Sequence, residues 1–415
     1  MSEPSQPRAP MQSLDEALQR LLSSVAPLAQ TETLSTAECL GRVLAADVVS
    51  QLDVPPADNT SMDGYALCAA DVTQAGTLLP VAQRVPAGVV GAVHQAGTAA
   101  RIFTGAQIPI GADAVVMQEQ CESVAGEGLG SVRVNAAVQA GQWIRRRGED
   151  VQQGRAVMAA GARLDAAALG LAATVGAAQL QVARRPRVAL FSTGDELVMP
   201  GEPLKPGAIY NSNRFTLRAM LQGLGCEVVD LGIVPDRLDA TRAALREAAA
   251  RSDLIITSGG VSVGEEDHLR PAVQAEGLLD LWQIAIKPGK PLAFGRVNSA
   301  EGGAWFMGLP GNPVSSFVTF ALLVRPVILR LQGATRLAPR GFMLRADFAW
   351  PKPDRRREFL RVRLNEAGGL ELFPNQSSGV LTSTVWADGL LDNPAGQAIE
   401  PGQMVRYLPM SELLQ

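Results

Sequence analysis

The sequence predicts a multidomain protein of mixed α/β and β type, and three observations carry that prediction. The chain has 415 residues, more than one ordinary core accommodates, so two to four domains are expected. Between residues 187 and 331, apolar strand-like runs alternate with helical segments, the rhythm of an α/β domain with a largely parallel sheet. In 51–144 and 333–415, short Val- and Ile-rich runs are broken by Gly and Pro, the texture of small β domains.

Taken in order, Ser13 and Glu16 form an S-x-x-E capping box ahead of "LDEALQRLLSSV". Leu14, Leu18, Leu21, Leu22 and Val25 follow with helical spacing, and a second helix is expected after Ser35. Strand and helix patterns return in 145–180. The economical reading inserts the 51–144 β domain into a discontinuous α+β domain made of 11–50 and 145–180. The α/β domain then spans 181–332. Its strands are expected near Val188–Phe191, Glu227–Leu231, Asp253–Thr257 and "AWFMG", and its last helix from Ser315 to about Leu331. Residues 333–415 form a C-terminal, barrel-like β domain.

Composition narrows the function. Apolar residues make up 47% and charged residues 19%, and the formal net charge is −4, so no overall field attracts nucleic acid. Cys39, Cys68, Cys121 and Cys226 are scattered without a C-x-x-C, which speaks for reduced thiols and a cytoplasmic setting. Two histidines, His94 and His268, leave little room for a His-based metal site within one subunit. The polar start "MSEPSQPRAP" has no apolar core of a signal peptide, and the uncharged Ala166–Ala183 stretch is too weakly apolar to span a bilayer. No membrane association is expected.

In an open parallel sheet, ligands gather outside the carboxyl ends of the strands. Ser192, Thr193, Gly194, Asp195 and Glu196 follow the first predicted strand, and Asp236 follows the second. Ser258, Gly259, Gly260 and Ser262, then Glu265, Glu266 and Asp267, follow the third; Pro310, Gly311, Asn312 and Ser315 follow the last. The Ser-Gly-Gly loop can cradle an anion with its backbone N–H groups. Glu196, Asp236 and Asp267 on one rim would repel unless a cation such as Mg²⁺ sits between them. The chain has only four lysines, and Lys287 and Lys290 flank Pro288-Gly289 in "IAIKPGKP". Beside anion-cradling loops they make an oxyanion clamp; lysine offers a compact point charge where arginine offers a wide fork. No Walker loop, no G-x-G-x-x-G after a strand and no G-x-S-x-G is present, which disfavours kinase, dinucleotide and serine-hydrolase readings.

The set "DNTSMDGYA", "RIFTGAQIPIGADAVVMQE", "STGDEL", "SNRFTL", "SGGVSVGEEDH", "IKPGKPLAFG" and "GLPGNPVSS" resembles, in order, the MoeA family of molybdopterin molybdenumtransferases, related to the gephyrin E domain. The resemblance implies a four-domain homodimer with a molybdopterin-binding-type α/β domain. It implies that molybdate and adenylylated molybdopterin react to give molybdenum cofactor and AMP, with Mg²⁺ or a similar divalent cation assisting. By similarity, Glu196, Asp236 and Asp267 hold the metal and the phosphoanhydride, while Lys287, Lys290, Pro291 and Ser315 bind molybdate. Asp58 and Thr104 match residues that face the cleft from the partner subunit. Arg361 and Ser378 stand in C-terminal segments, "RRREFLRV" and "NQSSGVLTS", that reach the same cleft. Transient contacts with the adenylyltransferase and with cofactor-accepting enzymes are implied as well. Gln283 departs from the pattern, since many members carry a lysine there. Two other readings differ in kind: a molybdopterin adenylyltransferase, which generally lacks the extra domains, and a gephyrin-like scaffold without turnover.

Overall fold

A computed structural model describes residues 11–260, 268–300 and 302–414. The central sheet has six strands in the order Glu227–Val234, Arg187–Thr193, Leu254–Ser258, Ala304–Leu309, Pro291–Val297 and Gly277–Gln283. The first four are parallel, and the last two run antiparallel to their neighbours. The sheet is therefore mixed. Only six residues separate Val297 from Ala304, which suffices for a hairpin but not for the crossover that parallel pairing needs. The Gly-rich loops all leave the parallel half.

Apolar clusters lie on both faces of this sheet. One face carries helices Ser212–Gly223 and Pro313–Leu331, through Leu217, Leu221, Val318 and Ile328. The other carries helices Leu238–Arg251 and Leu269–Glu276, through Leu245, Ala248, Leu269 and Val273. Fully buried strand residues such as Leu190, Phe191, Ile255 and Ile256 join the layers, as expected of strands covered on both faces. Helix Pro313–Leu331 is, among the described residues, the one helix long and apolar enough to cross a membrane, and 94% of its apolar window is buried inside the protein.

Helix Leu14–Ser24 starts at the predicted capping box: Ser13 Oγ accepts from Glu16 N at 3.2 Å, and Glu16 Oε2 accepts from Ser13 N at 2.9 Å. Leu14, Ala17 and Leu21 pack into the α/β core. Cys39, Leu44 and Val48 pack instead with Leu164, Ala172 and Val182 in a separate core. The helix expected after Ser35 is absent. Thr31–Ser35 is a strand paired antiparallel with Gln179–Ala183, followed by one 3₁₀ turn at Thr36–Glu38. Strand pairing outweighs local helix propensity here, and Gly41 at φ +74° closes the turn.

Paired segments at Asn59–Thr60 and Ile144–Arg145 form the entry to the β domain. Its sheet runs Ala114–Met117, Gly64–Leu67, Ala99–Ile102, Thr77–Val85, Ser131–Val134, Cys121–Val124. Within it His94 is 8% exposed, and neither ring nitrogen has a hydrogen-bond partner. Burial lowers its pKa, against the opposing charges of Asp71 and Asp113. The unfolded histidine titrates near its ordinary value of 6.5, so as pH falls the unfolded chain takes up the proton first. The stability that the neutral imidazole allows is thus complete above that pH and lost below it. His94→Phe should flatten the fall in Tm between about pH 7 and pH 5; an unchanged slope in thermal unfolding would remove His94 as the cause.

The C-terminal sheet runs Ile286–Lys287, Arg357–Leu364, Gly389–Asn393, Met404–Pro409, Phe342–Arg345, with Leu370–Leu372 also on Arg357–Leu364. A bridge from Ala346 to Leu370 returns its far edge toward the start, so the sheet curls on itself like a barrel. Its first strand belongs in sequence to the α/β domain, within the "IAIKPGKP" segment.

Candidate active site

That shared strand builds one wall of a large cleft. Lys287 pairs in parallel register with Glu358, and Arg357 N donates to Ala285 O at 3.0 Å. The following Lys287-Pro288 bond is cis, and Gly289 stands at φ +106°. A Cβ on Gly289 would lie 2.5 Å from Thr319 Oγ1, so only glycine lets the loop lie against the helix that starts at Pro313. Gly289→Ala should push this loop off the helix and lower Tm; an unchanged Tm with normal turnover would show that the contact is dispensable.

The cleft has a volume of about 870 Å³. Of the residues expected from sequence, Thr193, Glu196, Ser258, Gly259, Gly260, Lys287, Lys290, Pro291, Pro310, Gly311, Asn312, Ser315 and Ser378 line it. The glycine loops touch one another. A Cβ on Gly311 would come 3.7 Å from Gly259 Cα, and Asn213 Nδ2 donates to Gly311 O at 2.7 Å. Gly259 and Gly260 both have positive φ, at +89° and +65°, and line the cleft, the Gly259 amide donating to Leu309 O at 3.1 Å. Asn312 and Pro313 open the long helix, whose Val314 N donates to Ser378 O at 3.0 Å, joining the α/β domain to the C-terminal turn.

Several expected residues sit elsewhere. Ser192 is fully buried beneath the cleft, its Oγ 3.1 Å from that of Ser258. Gly194 and Asp195 are not on the lining, and Asp195 Oδ1 accepts from Asp236 N at 3.4 Å. Asp236 does not line the cleft either, and Ser262 and Asp267 lie outside the described residues. Among the described residues, no three acidic, histidine or cysteine side chains stand close enough to share a metal ion. Of the carboxylate trio assigned to Mg²⁺, Glu196 lines the cleft, Asp236 does not, and Asp267 is outside the described residues. Asp58 accepts from Arg146 Nη1 at 2.7 Å and from Arg147 N at 2.8 Å, and Thr104 donates to Asp63 from both its amide and its hydroxyl. Neither lines the cleft of its own chain. Gln283 is also off the lining.

Arg361 is buried to 1% exposure in the C-terminal domain, where burial pushes its pKa down to about 10. Its Nε donates to Ser383 Oγ at 3.2 Å and its Nη2 to Ser377 O at 3.4 Å, while Arg361 N donates to Gln376 Oε1 at 2.9 Å. It therefore holds the turn whose residues Gln376, Ser377, Ser378 and Gly379 face the cleft. The arginine of "RRREFLRV" that reaches the lining is Arg356, just ahead of the strand. Sequence reasoning missed it because three consecutive arginines look alike until the strand's start fixes which side each faces.

The cations of the wall are unequal. Lys287 Nζ lies 3.2 Å from Glu358 Oε1 and 3.5 Å from Asp354 Oδ2. Arg356 donates Nε and Nη2 to the two Asp354 oxygens, each at 2.9 Å, which with the Lys287 charge holds that carboxyl far below its ordinary pKa. Glu358 is fully buried and also accepts from Trp350 Nε1 at 2.8 Å and Asp354 N at 3.1 Å. Lys290, by contrast, forms no ion pair with any described residue and lines the same wall. Sequence reasoning also missed Asn211, a buried helix cap on the lining. Its Oδ1 accepts from Arg214 N at 3.1 Å, while its Nδ2 is buried without a hydrogen-bond partner. The quoted "SNRFTL" motif begins one residue after it.

Comparison with known proteins agrees with this architecture. Three family models match in chain order: the MoeA N-terminal region (domain I and II) over 12–176, a probable molybdopterin binding domain over 189–330, and the MoeA C-terminal region (domain IV) over 343–410. The molybdopterin molybdenumtransferase of Haemophilus influenzae is 42% identical over 87% of this chain and 89% of its own. The chain belongs to the MoeA family. Another MoeA-family relative, the molybdopterin molybdenumtransferase of a Nostoc strain, is 34% identical over 98% of this chain and 96% of its own. The crystal structure of the molybdopterin biosynthesis moeA protein from Pyrococcus horikoshii OT3 superposes with a TM-score of 0.82 at 28% identity, covering 96% of this chain and all of that one. The cleft is thus formed between two of the matched regions, the probable molybdopterin binding domain and domain IV of the MoeA family.

Proposed function

We propose that this chain is a molybdopterin molybdenumtransferase that inserts molybdenum from molybdate into adenylylated molybdopterin, releasing AMP. The observation that carries the reading is the cleft wall itself. A lysine that forms no ion pair with any described residue and a glycine-rich loop face a space large enough for a nucleotide-linked pterin, in a chain whose relatives are named molybdopterin molybdenumtransferase.

Lys290 and the amide of Gly260 attract the tetrahedral oxyanion, and Lys287, fixed by Glu358 and Asp354, sets the loop that presents it. Holding molybdate beside the dithiolene sulfurs turns a bimolecular encounter into a positioned one. Two Mo–S bonds form from the dithiolene thiols as a molybdate oxygen leaves with their two protons as water, and a water molecule cleaves the phosphoanhydride linking AMP to the pterin phosphate. The proposal includes a divalent cation, Mg²⁺ or similar, on the acidic rim of Glu196, Asp236 and Asp267. It also includes a cytoplasmic homodimer in which Asp58 and Thr104 serve the partner's cleft. Support for the dimer comes from their position: both lie off the cleft of their own chain. Transient contacts with the adenylyltransferase and with cofactor-accepting enzymes complete it.

The deciding experiment incubates the protein with adenylylated molybdopterin, molybdate and Mg²⁺ and follows AMP together with active cofactor. AMP without cofactor, or neither product, would remove the reading. Asp267→Ala should abolish AMP release at saturating substrate, and unchanged turnover would take Asp267 out of the mechanism.

A further inference from the structure

Lys287 and Arg356 line the cleft, and each is matched by a carboxylate that does not, Glu358 and Asp354. Glu358 is fixed in place: it is fully buried and also serves Trp350 Nε1 and the Asp354 amide. Asp354 differs. Its side chain is 20% exposed, and among the described residues its carboxylate accepts hydrogen bonds from Arg356: Nε and Nη2 at 2.9 Å each and the amide N at 3.0 Å. Lys287 Nζ adds an ion pair at 3.5 Å. The turn itself is held without that carboxylate. Asp354 N donates to Glu358 Oε2 at 3.1 Å, and Asp354 O accepts from Gly396 N at 2.8 Å. The Arg356 fork, the part of the side chain that matches an oxyanion bidentately, is thus turned to a carboxylate of its own chain, and Nη1 makes only a long contact, 3.5 Å to Ile286 O.

We infer that Asp354 is a positioning residue that keeps the oxyanion site weak: it occupies the Arg356 fork and offsets the charge of the wall, so that the cleft holds molybdate loosely enough to pass it on. The inference rests on the reading of the cleft as a molybdate site. A dianion is repelled by a carboxylate close behind the wall, and a guanidinium already engaged through Nε and Nη2 has no fork left to offer it. Both effects lower affinity. A weak hold serves turnover, because a grip on the free anion that is not kept in the transition state raises the barrier to forming the Mo–S bonds. The competing view is that Asp354 only orients Arg356 toward the substrate, and then its removal weakens binding.

The test titrates the full chain with molybdate alone, by calorimetry at matched ionic strength, so that binding is read apart from turnover. Asp354→Asn keeps the shape and one acceptor and removes the charge, and it should tighten molybdate binding by about tenfold. Asp354→Glu keeps the charge and should stay near the parent affinity. The gain from Asp354→Asn should shrink when Arg356→Gln is already present, since the freed fork is its source. In turnover with adenylylated molybdopterin, Asp354→Asn should lower the molybdate KM and kcat together. Should Asp354→Asn fail to fold, Asp354→Ser removes the same charge, and the same rise in affinity is expected. Equal or weaker binding in the folded variant, a gain undiminished by Arg356→Gln, or a kcat that does not fall overturns the inference and leaves the reading of the cleft standing. A parent chain that binds no molybdate overturns that reading, and the inference with it.

Discussion

Replacing Glu358 by alanine should cost about 3 kcal/mol of stability and lower turnover by about 100-fold. The carboxylate is fully buried and serves Lys287, Trp350 and the Asp354 amide at once. Removing it strands an indole N–H and an amide in the interior and leaves the Lys287 ammonium with only Asp354, at 3.5 Å. The strand Ile286–Lys287 then loses the side-chain tie to the C-terminal sheet that aims the following loop into the cleft. Glu358→Gln separates the two effects, since it keeps an acceptor for Trp350 and loses the charge facing Lys287. Chemical denaturation and AMP release read them independently. Normal turnover in a folded Glu358→Gln variant would show that the Lys287 ion pair does not position the loop.

Lys290→Ala should leave stability nearly unchanged and raise the molybdate KM by about 10- to 100-fold. A contact from a charged group is worth about 1.5–3 kcal/mol, and no described carboxylate depends on this ammonium for its pairing. Lys290→Arg addresses the choice of lysine: the planar fork should restore less than full affinity if a compact point charge is what the site requires. Steady-state kinetics over molybdate concentration decide it, and an unaltered KM in Lys290→Ala would remove Lys290 from the oxyanion site. The two variants separate roles that the sequence presents as one. Lys287 and Lys290 look equivalent around Pro288-Gly289, yet the first is locked between Glu358 and Asp354 and the second is not.

Much of the molecule was legible in the sequence because local rules and tertiary packing agree there. The capping box at Ser13, the strands at 187–193 and 254–258, and the Gly-Gly turn after the latter are each written in residues whose backbone or burial preference is strong. Where packing overrides propensity, the reading failed. The segment after Ser35 has helical composition, but the strand before it finds a partner almost 150 residues away, at Gln179–Ala183. The two antiparallel strands that end the central sheet follow from a connection too short for a crossover, a constraint that strand propensity does not carry.

The sequence by itself determined the kind of chemistry: loops of Ser, Gly and Asn after buried strands, two lysines around a Pro-Gly, and motifs ordered as in the MoeA family. Strand periodicity and turn chemistry are local, so they place such groups on one rim without any knowledge of contacts. Only the tertiary structure decided how the charges are shared. It put Arg356 rather than Arg361 at the cleft, set Lys287 against a buried carboxylate from another domain, and left Lys290 without an ion pair among the described residues. Those assignments depend on pairing between residues about 70 positions apart, fixed by the register of a strand that one domain lends to another's sheet. No local rule encodes that register, because the free energy that selects it comes from burying Glu358 and its partners together.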